Sequence, residues 1–224
     1  MSDTEVAEAY IRKRYRLWRG LAVDFDYKRR KAARIAKVFE ASGGTAELAL
    51  ELGVGPGGIA AELSRAGTRV VGVDLSPDAL IQAQRHCRGA KVSLVRGSGF
   101  NLPFQDASIP LVYASQVLHL FDNPDRLKLM VEVHRVLKPG SRFVFDMKNI
   151  LTHPKRYWAS TRARRSRNFP RESEILNLIA TAAFSEVRSY PGVLPGLGWR
   201  TIPNTSVFRL LSHTNFYVAT KSRT

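Results

Sequence analysis

The chain has 224 residues, of which 44% are hydrophobic, and it contains one cysteine, Cys87. A single cysteine excludes an internal disulfide framework and favours a reducing compartment. No apolar run approaches the roughly 20 residues that are needed to span a bilayer, and the polar N-terminal residues are not typical of a secretion signal. We therefore expect a cytoplasmic globular protein without a transmembrane segment.

The formal net charge is +16, and the excess of positive charge lies mainly at the two ends of the chain. Residues 1–42 carry 11 Lys and Arg against 6 Asp and Glu, and residues 43–150 carry 12 against 10. Residues 151–224 carry 12 against 3. Basic ends of this kind indicate either an anionic partner or a solubilising surface, and composition alone does not choose between them.

Two helices are predicted before the first strand. Residues 4–19 combine helical spacing of apolar residues with many arginines. Residues 27–39 have an amphipathic pattern, with lysines and arginines on one face. The apolar residues on the other face are Ala32, Ile35, Ala36 and Phe39. Ser42-Gly-Gly44 ends this second helix.

From residue 47 onward, short apolar runs alternate with helical patterns, which predicts a parallel sheet with helices on both faces. The predicted strands are 47–52, 69–73, 91–95, 110–114 and 142–147, and the predicted helices are 57–65, 77–86 and 124–137. After a basic stretch at 148–168, the pattern predicts a helix at 172–183, a strand at 184–190, a loop at 191–203, one helical turn at 207–211 and a last strand at 215–220.

The turn after the first strand is rich in glycine. Gly53, Gly55 and Gly57 let the backbone turn tightly and bring no side chain between the main chain and a ligand. The helix that follows would aim its first N–H groups at whatever occupies the turn. Glu51 precedes the turn, and Asp74 ends the second strand 21 residues after Gly53, where an acid can accept both hydroxyls of a ribose. The pattern predicts a nucleotide-like cofactor, although the glycine spacing alone also matches a dinucleotide-binding fingerprint.

Two later segments narrow the choice of cofactor. Leu102-Pro-Phe104 follows the third strand, and Leu137-Lys-Pro-Gly140 leads into the fifth. With the glycine turn and Asp74, these segments resemble, in this order, the class I S-adenosylmethionine-dependent methyltransferases of the small single-domain kind. The resemblance runs from about Leu48 to Asp146.

The resemblance implies a Rossmann-like, doubly wound α/β fold with seven strands, mostly parallel with an antiparallel last strand. It implies S-adenosyl-L-methionine as the cofactor and a small-molecule acceptor. We expect a single domain over residues 1–224, with 1–42 as an N-terminal helical cap and 148–206 containing variable lid segments. Because the flanks of such enzymes build the acceptor pocket, the basic ends favour an anionic acceptor.

The same resemblance assigns roles to the residues around the turn. Gly53, Gly55 and Gly57 would line the methionine moiety, and Glu51 would organise the turn and the cofactor's amino group. Asp74 would hold the ribose hydroxyls, with Leu75 packed on the adenine.

Ser98 and Gly99 are expected beside the adenine. Many relatives have an aspartate at the position of Ser98, where its carboxylate accepts the adenine amino group. A serine oxygen can accept the same hydrogen bond, but neutral acceptors are about half as strong.

Ser115 and Gln116 follow the fourth strand, at the edge of the sheet where methyl donor and acceptor should meet. Both are expected to contact the cofactor, and Gln116 could instead contact the acceptor. His119 is the candidate general base, because the pKa of histidine lies near neutrality. A structural histidine on a helix face is an equally good interpretation, since methyl transfer from a sulfonium depends mainly on proximity and orientation.

No metal site is expected, because the five histidines are scattered and the cysteine has no partner. Two other functions stay open. The first is an RNA methyltransferase that uses the basic flanks as a phosphate track, although Ser115-Gln-Val-Leu118 stands where amino-directed nucleic-acid enzymes carry an Asn/Asp-Pro-Pro-aromatic motif. The second is a non-catalytic relative that binds the cofactor.

Overall fold

A computed structural model describes residues 25–41, 47–149, 170–193 and 204–223. The predicted helix at 4–19, most of the basic stretch at 148–168 and most of the loop at 191–203 lie outside these residues. Within these described residues, fourteen elements follow one another in chain order. They are α1 (Phe25–Ala41), β1 (Leu48–Leu52), α2 (Gly58–Arg65), β2 (Arg69–Asp74), α3 (Pro77–His86), β3 (Val92–Arg96), β4 (Ile109–Ala114), a 3-10 helix (Leu118–Leu120), α4 (Asn123–Val136), β5 (Leu137–Lys148), α5 (Glu172–Thr181), β6 (Phe184–Val193), α6 (Ser206–Leu211) and β7 (Thr214–Lys221).

The strands form one seven-stranded sheet in the order β3-β2-β1-β4-β5-β7-β6. The pairs from β3 to β5 are parallel, and β7 pairs antiparallel with both β5 and β6. The predicted fold class is therefore confirmed, including the antiparallel last strand. The strand order reverses between β1 and β4, and ligands of open α/β sheets bind in the crevice at such a switch point.

Helices cover both faces of the sheet, as the alternation of elements predicts. One face packs against α4 and α5 through buried residues such as Leu129, Val133 and Ile175. The opposite face packs against α1 and α2 through buried residues that include Ile35 and Ile59. The strands between them are consequently apolar on both sides.

The amphipathic prediction for α1 is correct for its apolar face and wrong for one lysine. Ala32 and Ile35 are 2% and 3% exposed, as expected, while the side chain of Phe39 lies outside the described residues. Lys31 is 1% exposed, although helical periodicity assigns it to the polar face. Lys31 is buried because its ammonium group forms an ion pair with a carboxylate of the sheet. Helical periodicity carries no information about a partner so far away in the sequence.

Two family-like segments are held in place by side chains of neighbouring elements. Arg135 of α4 donates to the carbonyl oxygens of Leu102 and Phe104 at 3.1 and 2.9 Å. The Leu102 N–H donates to Glu132 at 2.6 Å. The Leu137-Lys-Pro-Gly140 segment opens β5, so this strand begins five residues before the predicted start at 142.

Within the described part of the chain, no helix is both long and apolar enough to cross a bilayer. The same residues contain no group of three or more His, Cys, Asp or Glu side chains placed to hold a metal ion.

Candidate functional site

A cleft opens where β1, β2 and β4 reach the carboxyl edge of the sheet. It lies at the switch point, and the loops after these strands form most of its wall. The described residues that line it are Lys28, Glu51, Leu52, Gly53, Val54, Gly55, Pro56, Ile59, Val73, Asp74, Leu75, Gly97, Gly99, Phe100, Ser115, Gln116, Val117, Leu120, Phe121 and Leu129.

The glycine turn forms one wall of the cleft. The N–H groups of Gly53 and Val54 donate to the carbonyl oxygen of Val73 at 2.8 and 3.0 Å, which ties the turn to the end of β2. Gly57 has a φ of +79° and is packed against α3, because a Cβ atom added there would lie 2.7 Å from the Cys87 sulfur. The backbone thus takes a path that only glycine follows without strain, and Gly53 and Gly55 line the cleft without a side chain.

Asp74 connects this turn to the next helix. Its Oδ2 accepts the Gly55 N–H at 2.9 Å, and its Oδ1 accepts the Ser76 N–H at 2.9 Å. Burial raises the pKa of Asp74, and these backbone N–H groups oppose the rise. An ionised carboxylate has about four acceptor positions, so each oxygen can still accept a hydrogen bond from a ligand in the cleft.

Glu51 is buried at the base of the cleft, with 2% of its surface exposed. The hydroxyl of Tyr113, its partner in the paired strand β4, donates to Glu51 Oε2 at 2.8 Å. Burial raises the pKa of Glu51 to about 8, although the Tyr113 hydrogen bond and the charge of Lys28 both lower it. Burial and the charge of Lys31 lower the pKa of Lys28, which also lines the cleft. The site thus places a cation and a carboxyl group at one end.

Asp146 of β5 supports the opposite wall. Its Oδ2 accepts from Lys31 Nζ at 2.8 Å, and its Oδ1 accepts from the Gln116 N–H at 2.6 Å. Burial raises the pKa of Asp146, but Lys31, the Gln116 N–H and the charge of His119 together lower this pKa below its usual value. Gln116 has a φ of +59°, a left-handed conformation that is uncommon for a residue other than glycine.

Most of the predicted site residues are brought together in this cleft. Leu75, Gly99, Ser115 and Gln116 line it beside the glycine turn, Glu51 and Asp74.

Three predicted residues are placed differently. Gly57 packs against α3 and does not belong to the described lining of the cleft. The Oγ of Ser98 accepts the Phe100 N–H at 3.2 Å, so it stabilises the loop after β3. His119 is 3% exposed, and its charge lowers the pKa of Asp146. The described lining of the cleft in this region comes instead from Val117, Leu120 and Phe121.

Sequence reasoning missed four residues of the site, namely Lys28, Lys31, Tyr113 and Asp146. The two lysines lie three residues apart on α1 and therefore on one face of the helix, which is a weak signal. Tyr113 and Asp146 follow from the sheet register, which the sequence alone does not give.

Residues 50–145 match the family described as Methyltransferase domain. An uncharacterized methyltransferase of Mycobacterium tuberculosis is 31% identical over 161 residues, which cover 65% of this chain and 61% of that protein. An uncharacterized methyltransferase of Synechocystis is 37% identical over 94 residues, or 42% of this chain and 43% of that protein. Residues 50–145 therefore belong to this methyltransferase family. The chain spans about half the length of these curated relatives.

Solved structures agree with this family in fold. The crystal structure of an S-adenosylmethionine-dependent methyltransferase from Thermotoga maritima has a TM-score of 0.70 at 18% identity and covers 94% of this chain and 95% of its own. Identity at this level supports the shared fold alone.

The glycine turn gives a test with an internal control. Gly57 and Gly89 share a φ of +79°, but a Cβ atom at Gly89 would meet nothing within 4 Å. Gly89→Ala should therefore cost only the left-handed strain of about 1–2 kcal/mol, whereas Gly57→Ala adds the clash with Cys87. Chemical unfolding of both variants measures the difference. Equal losses of stability would mean that the turn adapts to a side chain.

The shifted pKa of Glu51 predicts a pH-dependent stability. The folded protein keeps a proton on Glu51 up to about pH 8, whereas the unfolded chain loses it near its ordinary pKa of about 4.3. The contribution of this group to stability is therefore lost as the pH rises between those values. Without ligand, Glu51→Gln should gain stability relative to the wild type between about pH 5 and 8.

Urea unfolding at several pH values measures this gain, and Glu47→Gln is the control. Glu47 is an exposed carboxylate just before β1. A constant difference between Glu51→Gln and the wild type across this range would contradict the raised pKa.

Proposed function

We propose that this chain is an S-adenosylmethionine-dependent methyltransferase that methylates an oxygen, nitrogen or carbon atom of a small or medium-sized, anionic acceptor. The observation that carries the proposal is the bare glycine turn tied to Asp74, whose carboxylate oxygens accept from the Gly55 and Ser76 N–H groups. This turn lies at the switch point of the sheet, where the fold binds its ligands.

The polar groups of the cleft suit the methionine and ribose parts of the cofactor. Lys28 and Glu51 both line the cleft. The Lys28 amine suits the carboxylate of an amino acid, and a bound ammonium group would favour the ionised form of Glu51, whose pKa burial raises in the empty cleft. Asp74 retains acceptor positions for the two ribose hydroxyls. We propose that Gly53, Gly55 and Gly57 lie along the methionine chain between these groups.

The apolar side chains of the cleft suit the adenine. Leu75 and Phe100 line the cleft beyond Asp74, and Phe121 meets Phe100 edge to face with ring centroids 5.1 Å apart. Such walls can enclose a flat aromatic base. We propose Gly99 and Ser98 as neighbours of its polar edge. The Ser98 Oγ already accepts the Phe100 N–H and can accept one further hydrogen bond.

The bound cofactor supplies a methyl group on a positively charged sulfur. Transfer is an in-line displacement, so the protein must mainly orient the acceptor and exclude water. Ser115 and Gln116 lie on the side of the cleft where an acceptor would approach. We propose that the N-terminal helices and the segments at 148–168 and 191–206 cover that side, and that His119 is the base if the acceptor loses a proton.

Relatives of known substrate give little information about the acceptor. A demethylmenaquinone methyltransferase of Corynebacterium kroppenstedtii is 40% identical over 96 residues, which cover only 43% of this chain and 39% of that protein. A match this short does not carry the acceptor over to this chain. The anionic acceptor rests on the charge of residues 151–224, which carry 12 Lys and Arg against 3 Asp and Glu.

Binding of S-adenosylhomocysteine, the product cofactor, tests the cofactor assignment. We expect the wild type to bind it in isothermal titration calorimetry. Asp74→Asn should weaken binding about 10- to 100-fold, because an NH₂ group would replace one of two charged acceptors. Asp78→Asn, in the first turn of α3, is the matched control and should bind normally. No binding by the wild type would overturn the proposal.

Ionic strength tests the acceptor class. With labelled S-adenosylmethionine, we expect methyl transfer to a panel of carboxylated and phosphorylated metabolites, with a KM that rises as salt screens the attraction. Neutral esters of the same compounds should react poorly. Equal transfer to the esters would contradict an anionic acceptor, and methylation of RNA with a steep salt dependence would favour the nucleic-acid alternative.

A further inference from the structure

A buried ion pair lies directly behind the wall of the cleft. The side chains of Lys31 and Asp146 are 1% and 4% exposed, and Lys31 Nζ lies 2.8 Å from Asp146 Oδ2. The two residues are 115 positions apart in the chain and join α1 to the end of β5. Burying two charges costs solvation free energy that their attraction often does not recover, so such a pair is weak as a pure stabilising device.

The pair also acts on the backbone of the cleft. The second oxygen of Asp146 accepts the Gln116 N–H at 2.6 Å. Gln116 has a φ of +59°, a conformation that costs a residue with a Cβ about 1–2 kcal/mol, equivalent to about 5- to 30-fold in an equilibrium. Something in the surrounding structure must hold Gln116 there, and the Asp146 carboxylate is the group in contact with its N–H.

Helix α1 joins this support to the cleft itself. Lys28 lies one turn before Lys31 and lines the cleft, while Ser115 and Gln116 line it on the loop that Asp146 holds. One helix thus supplies a cation inside the cleft and a second cation to the carboxylate that fixes the loop after β4.

We propose that Lys31 and Asp146 are positioning residues that keep Gln116 in its left-handed conformation and so hold the loop after β4 in the shape that binds the cofactor. The proposal rests on the proposed function, because its main test measures the binding of S-adenosylhomocysteine. Helix α1 would then support the cofactor site through Lys31, which does not line the cleft, as well as through Lys28, which does.

A purely structural role would anchor α1 to the sheet without acting through Gln116. The two roles differ in how they depend on the Cβ atom of residue 116. If the pair opposes the left-handed strain, its removal should matter much less when residue 116 is glycine, because glycine adopts this conformation freely. If the pair only anchors α1, residue 116 should make no difference.

The experiment is therefore a mutant cycle in the 224-residue chain. Lys31→Met is introduced into two backgrounds, Gln116→Ala and Gln116→Gly, which both lack the glutamine side chain and differ only in Cβ. We expect Lys31→Met to weaken S-adenosylhomocysteine binding about tenfold in the alanine background, because the competent conformation becomes a minor one. In the glycine background the loss should be about threefold or less.

Equal losses in the two backgrounds would overturn the positioning role while leaving the proposed function intact. If Lys31→Met leaves the Asp146 charge too costly to bury, the double variant Lys31→Met/Asp146→Leu replaces it in both backgrounds. This variant removes both charges and also the oxygen that accepts from the residue 116 N–H, so the same inequality between backgrounds is expected.

Hydrogen exchange at the residue 116 amide gives a readout that needs no ligand. Lys31→Met should accelerate this exchange at least tenfold in the alanine background and much less in the glycine background. Equal acceleration would also overturn the proposal. If the wild type binds no S-adenosylhomocysteine but Lys31→Met accelerates exchange unequally in the two backgrounds, the proposed function is refuted. The link between Lys31 and Gln116 is then retained.

Discussion

Three carboxylates are buried where parallel strands reach one edge of the sheet, and each must be matched by hydrogen-bond donors from elsewhere in the chain. Tyr113 donates to Glu51, backbone N–H groups donate to Asp74, and Lys31 donates to Asp146. A buried carboxylate without donors would be strongly destabilising. The need to satisfy these groups therefore determines how the turn after β1, the loop after β4 and helix α1 are arranged around the cleft.

The patterns that carry the family resemblance are of two kinds. The glycine turn and Asp74 face the cleft, whereas the Leu102-Pro-Phe104 segment is held by Glu132 and Arg135 of α4. Lys221 of β7 likewise donates to the carbonyl oxygens of His134 and Leu137, where α4 passes into β5. The segments that make the family resemblance specific thus include structural supports as well as ligand-facing residues.

The sequence predicts the order and type of the described strands and α-helices, although not the 3-10 helix, because apolar periodicity and glycine positions are local signals. It also identifies the glycine turn, Glu51 and Asp74. It does not identify Lys31 as buried, since its partner Asp146 is 115 residues away. The left-handed Gln116 is missed for a related reason, because residues other than glycine rarely adopt this conformation and only a distant contact holds it there.

The position of β7 has a consequence for synthesis on the ribosome. This strand follows β6 in the chain but lies between β5 and β6 in the sheet. Until residues 214–221 have left the exit tunnel, β6 has no strand to pair with and β5 presents an open edge. A nascent chain at that stage has unpaired backbone groups that can join another chain. Completion of the sheet, and protection from aggregation, therefore wait until β7 has been translated.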